Sequence, residues 1–199
     1  MKKILAIVLA LTVVLVCFAA CGGKTNTDAN TNTDANTETT AAATYADAVE
    51  VLTKVFTAYD SEYKSYFAGG DENNATEGAP GKYDVALAEE LNVVAYLPAT
   101  QNANIEDAAT LRHMNGNTFT GAAYKVKAGT DVKAFADEFK LALDNAMWMC
   151  GFPEKFVVIS SGDYVVTMFG AADVVDGLKT TATTALTAAE VVLEGDIVA

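Results

Sequence analysis

Basic residues are scarce in this chain. Thirteen of its 199 residues are Lys or Arg, against 26 Asp or Glu, and Arg112 is the single arginine. A net charge of −13 leaves no cationic cluster to displace the counterions of a nucleic acid, so that class of partner is excluded. Cysteine is as sparse: three thiols make neither a disulfide-dense scaffold nor a four-Cys zinc site. A lone imidazole, His113, rules out a multi-His metal centre. No Walker loop, dinucleotide-binding glycine fingerprint or G-x-S-x-G elbow occurs. The sequence therefore names no catalytic residue, no metal and no cofactor.

What is there begins with an address. Lys2 and Lys3 form a positive n-region, Ile4 to Phe18 is an apolar run broken only by Thr12, and Ala19 and Ala20 are small. Such a run is shorter than the roughly 20 residues a stable transmembrane helix needs, and it reads as a secretory signal. Phe18-Ala19-Ala20-Cys21 resembles the lipobox of bacterial lipoproteins, with Phe18 where that pattern usually has an aliphatic residue. The resemblance implies cleavage between Ala20 and Cys21, a diacylglycerol on the Cys21 sulfur, and a protein held to the outer face of the cell membrane by its lipid. Plain secretion with Cys21 as a bystander is the alternative.

Residues 22–44 contain no aliphatic side chain larger than Ala and no aromatic, and Asn26-Thr27-Asp28-Ala29-Asn30-Thr31 repeats unchanged as Asn32-Thr33-Asp34-Ala35-Asn36-Thr37. A segment this polar has no face to bury and reads as a disordered tether, spanning about 25 Å as a flexible coil. The expected organisation is a signal peptide over 1–20, the lipidated Cys21 and tether over 21–44, and one domain over 45–199. Removal of Lys2 and Lys3 takes the net charge from −13 to −15, which disfavours contact of the domain with anionic lipid.

In the domain, Val49, Leu52, Phe56, Tyr59, Tyr63 and Tyr66 share one helical face, with Thr44 as cap and Gly69-Gly70 as stop. Residues 71–81 read as a solvated polar loop, Tyr83 to Leu91 and Ile105 to Met114 as short helices, and Val93 to Leu97 as strand or buried helix alike. Thr118 to Lys127 reads as a strand, Asp131 to Met149 as the strongest helix, Phe156 to Ser160 and Tyr164 to Phe169 as a hairpin, and Ala171 to Leu193 as a final helix. The predicted fold class is α+β, a small antiparallel sheet of three strands, with 93–97 as a candidate fourth, packed against helices on one face.

The stretches Gly121 to Val126, Asp131 to Met149, Gly151-Phe152-Pro153-Glu154-Lys155 and Ser161 to Val166 resemble, over about residues 118–180, small Gram-positive bacterial lipoproteins with a C-terminal domain of unknown function. The likeness is one of order and pattern. It agrees with the lipoprotein reading and implies no activity.

Candidate chemistry is thin. His113, beside Arg112, reads as a solvated residue at a helix end. Cys150, on the apolar stripe of the strongest helix, reads as a buried inert thiol without a disulfide partner. Asp71-Glu72-Asn73-Asn74 fails the calcium-loop pattern at Ala75 and Thr76. The aromatics Tyr59, Tyr63, Trp148 and Phe152 read mostly as core and, where exposed, as a surface for a protein or envelope ligand. The expected function is a non-catalytic binding or interaction module. The alternative is a hydrolase acting on envelope polymer through carboxylates alone. Two lobes of a solute-binding protein do not fit in about 155 residues.

Overall fold

The computed structural model describes residues 44–62, 64–149 and 151–198. Expectations resting on the signal segment, Ala20, Cys21, the tether, Tyr63 and Cys150 lie outside the described residues.

The first helix, α1 (Ala48–Ala58), is capped by Asp47, whose carboxylate accepts from Glu50 N–H, while the Glu50 carboxylate accepts from Ala46 N–H. This near-reciprocal capping box outcompetes Thr44. The helix stops at Tyr59, well before the expected Tyr66, because Phe67 to Gly69 are taken into a strand, β1 (Phe67–Gly69). The segment read as a plain loop contains β2 (Thr76–Glu77) and ends in β3 (Gly81–Tyr83). A 3-10 turn at Val85–Leu87 leads into α2 (Ala88–Val94), so Tyr83 is a strand residue and Val93 and Val94 close a helix.

The largest correction is β4 (Ile105–His113), expected as a helix. It pairs with β5 (Phe119–Val126) over nearly its whole length. Then come α3 (Val132–Asp144), β6 (Lys155–Ser161), β7 (Tyr164–Gly170), α4 (Ala172–Ala185) and β8 (Glu190–Asp196). The hairpin of β6 and β7 forms as expected, turning at Gly162 with φ +59°. The strongest helix stops at Asp144, four residues before Trp148, and the last expected helix is cut short by β8.

The fold is α+β, but the small three- or four-stranded sheet is overturned. All eight strands join one antiparallel sheet in the order β2-β1-β4-β5-β7-β6-β8, with β3 also paired to β4. β1 and β3 share the outer edge of β4 and meet end to end. A Cβ on Gly69 would stand 2.1 Å from the Gly81 nitrogen, so the junction admits only glycine.

Helices cover both faces, not one. On one face α1 and α4 pack over Ala109, Leu111, Ala123, Val157, Val166 and Met168. On the other, α2 and α3 pack over Ala108, Ala122, Tyr124, Val158, Val165 and Phe169. Fully buried Phe119, Phe135, Phe139 and Phe156 each contribute about 1.5–3 kcal/mol of apolar transfer energy. Adjacent alanines at 108–109 and 122–123 let helices approach both sides of the central strands.

Candidate functional site

One end of the sheet gathers most of the unusual side chains. There β4 finishes at His113, β5 begins at Phe119, β7 finishes at Gly170 and α4 begins at Ala172. The other end carries the start of the domain: Tyr45 Oη lies 2.8 Å from Ser161 Oγ and accepts from Thr187 N–H, and Ala48 N–H donates to Asp107.

Arg112 and His113 are consecutive strand residues, so they project to opposite faces. The expectation of a solvated helix end at His113 is overturned, because the residue closes a strand and is half-buried. His113 packs edge-on against Phe67, ring centres 5.4 Å apart, on the α1–α4 face. Its Nδ1 accepts from Asn115 N–H at 3.2 Å, which assigns the imidazole proton to Nε2. Arg112 lies in register with Thr120 and, through it, Phe169, on the α2–α3 face.

Two clefts open at this end, and His113 lines both. The first, about 470 Å³, lies among Tyr59, Ser61, Phe67, Thr118, Asp173 and Val174. The Tyr59 ring is seated on Gly177 of α4, so this aromatic is half core and half cleft wall. The second, about 440 Å³, lies among Gly70, Asp71, Glu72, Tyr83, Arg112 and Met114.

The rim of the second cleft is rigid for a reason the sequence did not disclose. Asp71, expected in a solvated loop, is only 4% exposed. It accepts from the backbone N–H groups of Asn73, Asn74 and Asp84 and from the Asn74 amide. Burial pushes its carboxyl up, but these hydrogen bonds overcome burial and hold it below the usual carboxylate range. At Tyr83, burial and then the hydrogen bond to Glu90 push the hydroxyl up to about 12, while the Arg112 charge pulls the other way.

Trp148 and Phe152 sit at the same end, on the Arg112 face. Trp148 is half-buried, its ring centre 5.0 Å from Tyr96, 5.7 Å from Phe169 and 6.2 Å from Phe152. Tyr96 holds φ +53°, a strained value for an aromatic residue, and stacks between Trp148 and Phe169. The Asn117 side chain donates to the Met149 and Gly151 carbonyls, tying this segment to the β4–β5 turn.

The structure thus places Tyr59 and the Trp148–Phe152 pair on opposite faces of one end, not in one site. Sequence reasoning missed Arg112, Tyr96 and Asp71. A lone arginine in so acidic a chain was the one signal for the first. Among the described residues no three His, Cys, Asp or Glu side chains are arranged to hold a metal, and no helix is long and apolar enough to cross a membrane. Comparison with protein-family models, curated proteins and solved structures finds no match to this chain.

Proposed function

We propose that this chain is an extracytoplasmic lipoprotein, anchored through Cys21, whose domain is a non-catalytic binding module that meets a protein or envelope ligand at the His113 end. The observation that carries the binding reading is where large apolar side chains are exposed. Tyr66, Met114, Met147, Met149 and Phe152, between 42% and 86% exposed, lie in segments bonded to one another at that end. Exposed apolar side chains gathered in one place mark interaction surfaces.

The hydrolase alternative needs two free carboxylates facing each other across one cleft. Asp71 spends both oxygens on the loop, and Asp173, in the other cleft, accepts from its neighbouring Val174 N–H. These assignments favour binding over hydrolysis.

Two measurements test the proposal. Cys21→Ser moves the protein from the membrane fraction to the soluble one, and inhibition of lipoprotein signal peptidase accumulates a larger, membrane-held precursor. An unchanged fractionation of the variant defeats the anchor. Met149→Ser with Phe152→Ser abolishes retention of envelope material by the immobilised full chain while its melting temperature holds. Undiminished retention moves the binding surface elsewhere.

A further inference from the structure

Arg112 is the chain's single arginine among 26 acids. It is half-buried, lines the cleft of about 440 Å³, and its guanidinium makes no hydrogen bond or ion pair among the described residues. Most of the described lysines are engaged: Lys54, Lys133, Lys140, Lys155 and Lys179 each meet a carboxylate, Lys127 meets a backbone carbonyl, and Lys64 meets a carbonyl and the Phe56 ring, while Lys82 and Lys125 resemble Arg112 in lacking a partner but line neither cleft. A guanidinium held partly out of water without an anion is costly. Here it shares a cleft with Asp71, which is fully committed to its loop, and with Glu72, which makes no ion pair with it; Glu90, outside the lining, is engaged by the Tyr83 hydroxyl.

We infer that this cleft is a binding site for a small carboxylate, with the Arg112 guanidinium as the anchor for the anion. Two features select the ligand. A guanidinium fork matches the two oxygens of a carboxylate. Asp71 and Glu72 stand beside the guanidinium, so the cleft tolerates a monoanion better than a phosphate dianion. The ligand's body is apolar. Ala68, Ala75, Met114 and the Tyr83 ring line the same cleft as Arg112 and give it an apolar wall. The four hydrogen-bond donors on Asp71 fix the loop that walls the cleft, so the site is preorganised.

This inference rests on the reading of the domain as a binding module and names its ligand class. The test is a calorimetric titration of the full chain, solubilised in detergent, with phenylacetate, its neutral isostere phenylacetamide, and inorganic phosphate. Phenylacetate binds, the amide does not, and phosphate is weaker. Arg112→Gln lowers phenylacetate affinity at least tenfold with an unchanged melting temperature, and Arg112→Lys falls between because it keeps the charge and loses the fork. Equal binding of acid and amide, tighter binding of phosphate, indifference to Arg112→Gln, or no heat with phenylacetate at tens of millimolar each overturns the carboxylate site. Envelope retention through Met149 and Phe152 is read separately, so either result stands without the other.

Discussion

The Tyr59 ring lies against the backbone of Gly177. A Cβ added at position 177 would come 2.7 Å from Tyr59 Cε2 and 3.5 Å from Cδ2. Gly177 occupies the interior of α4, where glycine costs about 1 kcal/mol relative to alanine. The sequence keeps that cost because the helix must pass close to the aromatic at the end of α1. Gly177→Ala is therefore expected to destabilise, or at best leave stability unchanged, in urea unfolding. In a Tyr59→Ala background the obstruction is gone, and the same substitution stabilises by about 1 kcal/mol. A gain of that size in the native background removes the argument that Tyr59 is fixed by α4.

Asp71 makes the cleft rim acid-sensitive. Its carboxyl titrates below the unfolded value of about 4, so its contribution is fully present above that pH and is lost as pH falls through the lower folded value. Asp71→Ala leaves the Asn73 and Asp84 N–H groups and the Asn74 side-chain amide without their acceptor, while Asn74 N–H keeps the Asp71 carbonyl, and is expected to cost roughly 2–4 kcal/mol at neutral pH. Denaturant midpoints measured from pH 7 down to pH 2 fall less steeply for the variant below pH 4. Parallel curves exclude Asp71 as a source of the acid limb.

The elements that were legible in the sequence are those buried on one side. Val132, Phe135, Ala136, Phe139 and Leu143 repeat at helical spacing because α3 turns one stripe to the sheet. The β6–β7 hairpin announced itself through β-branched residues around Ser161-Gly162-Asp163. β4 did not. It is covered on both faces, so Ala108, Ala109, Thr110 and Leu111 are all buried and the period of two vanishes into a run of good helix formers. β8 was absorbed into α4 because Val191, Val192 and Leu193 continue its apolar pattern without a stronger break than Thr187 to Ala189. The error at β4 carried into the site. As a helix end, His113 is a solvated residue beside Arg112; as strand neighbours, both line one cleft and His113 alone reaches the other.

β8 closes the sheet and part of the core. It pairs with β6 from Ser160 to Lys155, and Ile197, just beyond it, is 7% exposed in the α2–α3 core. Removing residues 190–199 uncovers the β6 edge, with Phe156, Val157 and Val158 on it. An uncovered apolar edge templates further strands. The shortened chain is expected to associate or precipitate on purification. A monodisperse monomer by light scattering, with native circular dichroism, counts against β8 as an essential cover.

The Trp148 cluster separates stability from binding. Trp148 contacts Tyr96 and Phe169 inside the fold, whereas Phe152 touches Trp148 with 42% of its surface exposed. Trp148→Ala is expected to cost about 2–3 kcal/mol, below the range for a fully buried aromatic, and Phe152→Ala under about 1 kcal/mol. Urea midpoints decide it. Similar losses for both residues place Phe152 in the core and weaken its role at the surface.

Tyr124 is the strained point of the core. Its ring is fully buried between β5 and α3, 5.8 Å from Phe135, and its hydroxyl has no hydrogen bond of good geometry, with the Thr167 side chain beside it. A buried hydroxyl left without a partner costs about 1–3 kcal/mol of desolvation. Tyr124→Phe keeps the ring and removes the orphaned group, so it is expected to raise stability by about 1 kcal/mol at neutral pH. The gain grows at alkaline pH. Desolvation raises the Tyr124 hydroxyl well above its ordinary value of 10, so the unfolded chain releases that proton first. Native stability is intact below pH 10 and falls as pH climbs toward the folded value. Removing the hydroxyl removes that part of the decline, while Tyr83, pushed up to about 12, keeps its own share. Guanidinium midpoints of the two proteins at pH 7 and pH 11 test both statements. A destabilised phenylalanine variant requires a hydrogen bond from Tyr124 to Thr167 in solution, and an equal gain at both pH values removes the titration argument.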